Sequence, residues 1–475
     1  MPIINKKDKD EKVLELTGNI VLQNEKGVQI SETPAKIVLD KKNFSIFPEK
    51  WGTYIFSYRE VLDLIPVDYR LKLSLGKGQE LQISQLGYQY EDFVRIFIKL
   101  RNEILLKDLL FHETLKKSGL EADFVYLDKL GQEKQKGRAE FRFYQTSLVV
   151  LPERGELVRI PFSDILKTEA ADFQIVVADE AGQKFIISKL GEKFDLFKET
   201  LRNCLNEIFL NIQNFIKGIW SEIDFSTLNK ISGLIKEGKA VNKKDIEGVS
   251  QEFFTKLEMA LMKTEVKEEY EFLKSIGEQD KIYIGFKKGL MGGLTGDYFW
   301  FFIPIYASNA IAFETAGEKE TGRATYFFRI VSRKEHKEID KAKIDDQIDD
   351  LILKINRGLS AINFRREPIY LPEGKLEEPE YVKYKFSMAK ITEIKLMREL
   401  FIGRVIHRND KQWQEDVNNL LEFNTSCEDD AVKWQKIEET TATEGKTESP
   451  EERKTSEKID EESEEEDKTE NKIVD

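Results

Sequence analysis

Apolar and polar residues alternate in short runs through the first part of the chain, and each series of runs closes with a stretch at helical spacing. Asn19 to Gln23, Ala35 to Leu39, Phe44 to Phe47, Tyr54 to Phe56, Val61 to Leu64, Tyr69 to Leu75 and Leu81 to Ser84 are β-rich. Turn signals such as Glu25-Lys26-Gly27 and Gly76-Lys77-Gly78 separate them, which predicts about seven strands. Tyr90, Phe93, Phe97, Leu100 and Ile104 then recur at three- and four-residue steps, which predicts a helix with one apolar face.

The whole pattern occurs twice. Residues 17 to 105 align with 121 to 209 at a constant offset of 104 and without a gap. Pro48-Glu49 falls on Pro152-Glu153, Gly78-Gln79 on Gly182-Gln183, Leu86-Gly87 on Leu190-Gly191, and Asn102-Glu103-Ile104 on Asn206-Glu207-Ile208. Between these anchors apolar residues replace apolar ones in phase, as at Ile37/Phe141 and Val61/Ile165. Such a repeat marks an internal duplication of one structural unit. Seven antiparallel strands and a closing helix resemble the pleckstrin-homology-like fold, a resemblance that covers both copies and implies two small barrels, each closed by its C-terminal helix. Some members of that superfamily bind phosphoinositides through a basic loop between the first two strands. The corresponding loops here, residues 24 to 33 and 128 to 137, are nearly neutral and mildly basic, so that ligand is not expected.

The expected organisation is α+β: a flexible N-terminus (1 to 16), barrels over 17 to 117 and 121 to 220, a helical connector (221 to 280), an α+β domain (281 to 424) and a disordered acidic tail (425 to 475). Ile212 to Ile219 extend the second closing helix. Leu228 to Ile235 predict another helix ending before Gly238, and Val249, Phe253, Leu257 and Leu261 predict a third. The basic stretch Lys236 to Lys244 could be misread as a helix-turn-helix. The helix after it carries Asp245, Glu247, Glu252 and Glu258, which would face phosphates badly, so direct nucleic-acid binding is not expected.

In the third domain, Lys281 to Lys287, Tyr298 to Ile305, Asn309 to Glu314 and Ala324 to Val331 read as strands, with 316 to 322 as an exposed hairpin loop. Ile344, Ile348, Leu351, Ile355, Leu359 and Ile362 predict a long helix; Tyr381 to Ile391 reads as a further strand and Glu393 to His407 as a further helix.

Charge and composition narrow the classes. The net charge is -13, but from Glu428 onward there are nineteen acidic and eight basic residues, a net of -11 that leaves -2 for the rest. That tail is too polar to offset chain entropy by burial. Cys204 and Cys427 lack CxxC partners and the three histidines lack metal-ligand spacing, so neither a disulfide framework nor a metal is expected, and no cofactor. No signal-peptide pattern is visible, and the apolar stretch Tyr298 to Phe313 is too short to span a bilayer, so a cytoplasmic protein without integral membrane association is expected.

For catalysis there is no nucleophile elbow, no HExxH helix and no paired Cys and His, so no enzyme is expected and no catalytic residue is assigned. The sharpest local signal is the loop Lys287 to Asp297, with glycines at 289, 292, 293 and 296 beside two lysines. Such a loop can form a nest of backbone amides around an anion. It is not a Walker loop, because lysine precedes the glycines. Arginines concentrate in the same domain, so the candidate anion-binding set is Lys287, Lys288, Gly292, Gly293, Arg323, Arg365 and Arg366.

Ile83-Ser-Gln-Leu-Gly-Tyr, Lys288 to Gly296, Gly322 to Ile330, Ile362 to Tyr370 and Gly403 to Arg408 are similar to stretches of an uncharacterised prokaryotic family with this tandem arrangement. The tandem barrels with an acidic segment, and Leu151 to Phe162 in particular, resemble the middle region of the structure-specific recognition subunit of the FACT histone chaperone. The first resemblance implies no activity; the second implies chaperoning of basic nucleic-acid-binding proteins. The expected function is a cytoplasmic scaffold that presents barrel edges and the third domain to protein or peptide partners, with an anion-responsive regulatory protein as the other alternative.

Overall fold

A computed structural model describes residues 12–24, 27–76, 78–110, 113–288, 297–316 and 323–434. Most of the glycine loop, with Gly292 and Gly293, the hairpin loop 317–322 and the tail from residue 435 lie outside the described residues.

The first repeat comprises β1 (Leu14–Asn24), β2 (Gly27–Leu39), β3 (Asn43–Pro48), β4 (Tyr54–Ser57), β5 (Val61–Val67), β6 (Arg70–Leu75) and β7 (Gln79–Ser84), closed by α1 (Tyr90–Leu110). The second comprises β8 (Leu115–Leu127), β9 (Glu133–Tyr144), β10 (Ser147–Pro152), β11 (Val158–Pro161), β12 (Ile165–Ala171), β13 (Gln174–Asp179) and β14 (Lys184–Ser188), closed by α2 (Phe194–Ile219). Both are curled antiparallel sheets of identical order, β4-β3-β2-β1-β7-β6-β5 and β11-β10-β9-β8-β14-β13-β12. The duplication extends to the backbone. Asp68 and Tyr69 have positive φ, as do Asp172 and Phe173 in the same places, so each β5–β6 type hairpin turns through two left-handed residues. The aromatic of each turn packs on the first residue of its own closing helix, Tyr69 on Tyr90 at 5.5 Å and Phe173 on Phe194 at 5.7 Å.

The third unit is a six-stranded antiparallel sheet, β15 (Val241–Asn242), β16 (Tyr283–Lys288), β17 (Asp297–Ile305), β18 (Ala310–Ala316), β19 (Ala324–Arg329) and β20 (Phe401–Ile406), in that order. One face is covered by α2, α3 (Phe225–Leu234), α4 (Lys243–Val249), α5 (Gln251–Leu261), α6 (Lys267–Ile276) and α12 (Asp410–Ser426). The short α7 (Arg333–His336) follows β19, and the other face lies under α8 (Lys341–Ala361), α9 (Glu367–Tyr370) and α11 (Thr392–Leu400). Because both faces are buried, β18 and β19 have no exposed residue, and apolar residues such as Ile311-Ala312-Phe313 and Tyr326-Phe327-Phe328 follow one another there instead of alternating with polar ones.

Several expectations need correction. The stretch expected to connect the domains packs on this sheet and supplies its β15 edge. The helix expected to run from Val249 to Leu261 breaks at Ser250, whose hydroxyl accepts from the Phe253 amide and starts α5. Residues 381–391 form no strand but a 3-10 turn and α10 (Lys385–Lys390), because Tyr384 and Met388 pack on one side and Phe386 on another. The helix expected through His407 ends at Leu400, where the β-rich Phe401–Ile406 fills the sheet edge beside β19. The tail expected from residue 425 does not begin there: Arg329 Nη1 bonds the Asp430 carbonyl at 3.0 Å, Arg333 holds the Asp429 carbonyl, and Trp434 packs on Phe423.

The three units share a core. α1 lies on the outer face of β10, where Leu105, Leu106, Leu109 and Leu110 meet Val149, Leu151, Leu157 and Phe386. Each leucine so buried contributes about 1.5–3 kcal/mol, more than an exposed ion pair such as Arg154–Glu91 at about 0–1 kcal/mol. Packing, rather than surface charge, joins the repeats.

Candidate functional site

Of the seven residues expected to bind an anion, Lys287, Lys288, Arg323, Arg365 and Arg366 are described, and these five do not converge. Lys287 is buried, and its Nζ donates to Asn363 Oδ1 at 2.5 Å. Burial pulls its ammonium below the ordinary lysine range, with Arg159 adding to that and Glu113 and Glu237 opposing it. This cluster joins the second repeat to the third domain: Arg159 Nη2 donates to Glu113 Oε1 at 2.5 Å, and the Thr146 hydroxyl donates to the same oxygen at 2.7 Å. The cavity beside it measures about 30 Å³, room for water rather than for a phosphate. Lys288 is exposed, and its backbone amide donates to Glu237 Oε1 at 3.1 Å. Arg323 pairs with Glu265 at 3.3 Å on one face of the third sheet. On the opposite face Arg366 donates to Thr315 Oγ1 at 3.1 Å and lies over the Tyr326 ring, while Arg365 bonds Tyr384.

Sequence reasoning missed a buried polar relay on the Arg323 side. Thr325 donates to Glu314 Oε2 at 2.6 Å, His407 Nε2 lies 2.9 Å from the same oxygen, and His407 Nδ1 lies 3.1 Å from Glu269 Oε1. Trp413 Nε1 donates to Thr325 Oγ1 at 3.2 Å and covers it. Burial opposes charge on His407, but Glu314 and Glu269 outweigh it and raise its pKa. The hydroxyl is fully buried and engaged with Glu314, so the cluster has the chemistry of an internal charge network rather than of an exposed nucleophile.

A cleft of about 670 Å³ opens between α2, α5 and the sheet. Phe215, Phe286 and Phe299 form its floor, with Phe215 stacked on Phe286 at 3.5 Å, and Lys256, Lys263 and Lys288 stand on its rim.

The edges of the repeats differ in a way that bears on binding. Each sheet has two end strands, β4 and β5 in the first and β11 and β12 in the second, and the contrast lies between β5 and β12. The β5 edge is used internally. Arg101, 1% exposed, donates through Nε and Nη2 to the Val61 carbonyl at 3.1 and 2.9 Å and through Nη2 to Glu156 at 3.3 Å. Lys390 pairs with Asp63 at 2.5 Å. At β12, among the described residues, only the first residue is held from outside its own hairpin, by Lys236 Nζ on the Ile165 carbonyl at 3.2 Å. Every side chain from Leu166 to Ala171 is exposed. The signal was present in the aligned repeats: Pro66 stands where the second copy has Ala170, and Arg101 where it has Leu205.

No helix among the described residues is long and apolar enough to cross a membrane, and none of their acidic, histidine and cysteine side chains form a group of three or more able to hold a metal. No family model matches the chain, and no curated protein matches it. Among solved structures, that of the Spt16D Pob3N heterodimer is similar over 36% of this chain and 85% of that chain, at 14% identity and a TM-score of 0.15, a likeness too slight to bear on fold or function.

Proposed function

We propose that this chain is a non-enzymatic interaction protein, built on two pleckstrin-homology-like repeats, that takes an extended segment of a partner polypeptide as an added strand on β12. The observation that supports it is the contrast between equivalent edges. In β5, Pro66 removes an outward amide, Arg101 holds the Val61 carbonyl, and Lys390 pairs with the Asp63 side chain. In β12, Ala170 restores that amide, and no described residue outside the hairpin holds the strand beyond Ile165. Strand addition draws affinity from main-chain bonds, each contributing about 0.5–1.5 kcal/mol net, and selectivity from alternate side chains. Selection of displayed peptides on the full-length protein tests the reading. β-forming peptides should bind the native chain and lose binding in Ala170→Pro; ligands that bind both forms alike would refute it.

The lysine-rimmed cleft supports a second reading, a site for an anionic ligand with an apolar body, since pockets of about 300–1,000 Å³ suit small molecules. A phosphometabolite that raises the melting temperature of the native chain but not of Lys263→Glu would support it. The acidic-tail chaperone reading rests on residues outside those described.

A further inference from the structure

β12 runs Ile165-Leu-Lys-Thr-Glu-Ala-Ala171, and a bulge at Ile165 to Lys167 confines its regular ladder with β13 to Lys167 through Ala171. The two-residue turn at Asp172-Phe173 fixes which backbone groups are spent. Ala171 pairs with Gln174 across that turn, which makes theirs a hydrogen-bonded pair. Alternation along an antiparallel ladder then turns Glu169 and Lys167 inward to β13 and leaves the N–H and C=O of Thr168 and Ala170 facing outward.

We infer that the partner this edge is built to take first is the β12 edge of a second copy of the chain, antiparallel about a twofold axis at Thr168. The inference rests on the reading of β12 as the binding edge and names its occupant. A twofold contact requires a strand complementary to itself. With the axis at Thr168, the two threonines face each other, and Lys167 of each copy faces Glu169 of the other. Threonine pairs and opposite charges directly across a ladder are favourable, whereas like charges are not. The axis cannot move by one residue: one position earlier opposes Lys167 to itself, one later opposes Glu169 to itself, and either places inward-bonded residues on the outer ladder.

Both charged side chains are free to re-pair. Lys167 and Glu169 are 66% and 55% exposed and pair with each other along one face of the strand. Leu166, 68% exposed, falls beside Ala170 of the second copy and gains apolar cover. The equivalent strand of the first repeat cannot substitute, because Pro66 lacks the amide and Lys390 already holds Asp63. The bulge keeps the contact short, so it belongs with weak, reversible associations well below the roughly 1,200 Å² of standard interfaces.

Sedimentation of the full-length protein at concentrations up to about 1 mM tests this. The wild type should show a reversible monomer–dimer equilibrium. Glu169→Lys, which opposes like charges at both pairs, should raise the dissociation constant at least about tenfold, and Lys167→Glu combined with Glu169→Lys should restore it. Ala170→Pro should also weaken the dimer, by removing an outward amide donor. A wild type that stays monomeric throughout, or a dimer indifferent to Glu169→Lys and Ala170→Pro, overturns the inference. A monomer that still binds extended peptides in an Ala170-dependent way overturns the self-pairing but leaves strand addition standing. A dimer lost in Ala170→Pro, with peptides bound elsewhere, does the reverse.

Discussion

Pro66 and Ala170 occupy the same place in two copies of one hairpin, each paired one position before the residues that flank a left-handed two-residue turn. In the first copy the ring removes an outward amide donor, and in the second the donor is kept. A common means of blunting a sheet edge is therefore present in one copy of this hairpin and not in the other.

This relationship makes Ala170→Pro a mild substitution. The first repeat already accommodates proline at this position of the same hairpin, so the melting temperature should change by no more than a few degrees, a free-energy change within about 0.5–1 kcal/mol. Thermal unfolding followed by circular dichroism measures it. A collapse of stability would show that the two hairpins differ in backbone more than their register indicates.

Arg101 should behave differently. Its guanidinium satisfies the Val61 carbonyl, reaches Glu156 and lies over the Phe386 ring, so one side chain touches both repeats and the third domain. Arg101→Leu, the residue of the second copy, strands that carbonyl and removes a buried charge from its partners. A loss of about 3 kcal/mol is expected in denaturant unfolding.

The His407 relay predicts a pH dependence. Its folded pKa is raised above the ordinary histidine value because Glu314 and Glu269 outweigh burial and the nearby Arg323. A raised value means the folded chain holds that proton more tightly than the unfolded chain. The resulting stability is complete below about pH 6.5 and is lost as pH rises through the folded value. Glu269, raised mainly by burial, loses stability in the same direction at lower pH. The native protein is expected to lose melting temperature as pH rises above about 6.5, and His407→Gln should flatten that fall.

Gly285 marks a close approach that only glycine permits. A β-carbon there would lie 2.2 Å from the Trp300 ring, its cross-strand partner. Trp300 cannot yield easily, since its Nε1 donates to Asn356 at 3.0 Å and its ring packs on Phe364. Gly285→Ala should cost about 3 kcal/mol by overpacking, read by denaturant unfolding.

Much of the duplicated half was legible in the sequence because each strand buries one face and so alternates; β1 buries Leu16, Ile20 and Leu22 while its neighbours face out. The third domain was less legible, because a sheet covered on both faces loses that period. The run through Val382 and Phe386 mimicked alternation although it folds as helical turns serving two separate cores. Of the expected anion set, Arg323 stands just before β19 on one face of the sheet and Arg366 leads into α9 on the other, a separation that spacing in the sequence does not show. The open edge was legible in principle, through Pro66 against Ala170, once the hairpin register is known. The second apolar stripe of α1, Leu105 to Leu110, was likewise visible as leucines, but nothing local says that they cover β10.

Residue-resolved amide hydrogen exchange, with and without a selected β-forming peptide, tests the claim of strand addition most directly. The Thr168 and Ala170 amides should exchange rapidly in the monomer at low concentration and gain protection when peptide binds, while the β5 amides stay unchanged. Peptide binding with no added protection at Thr168 and Ala170 would contradict it.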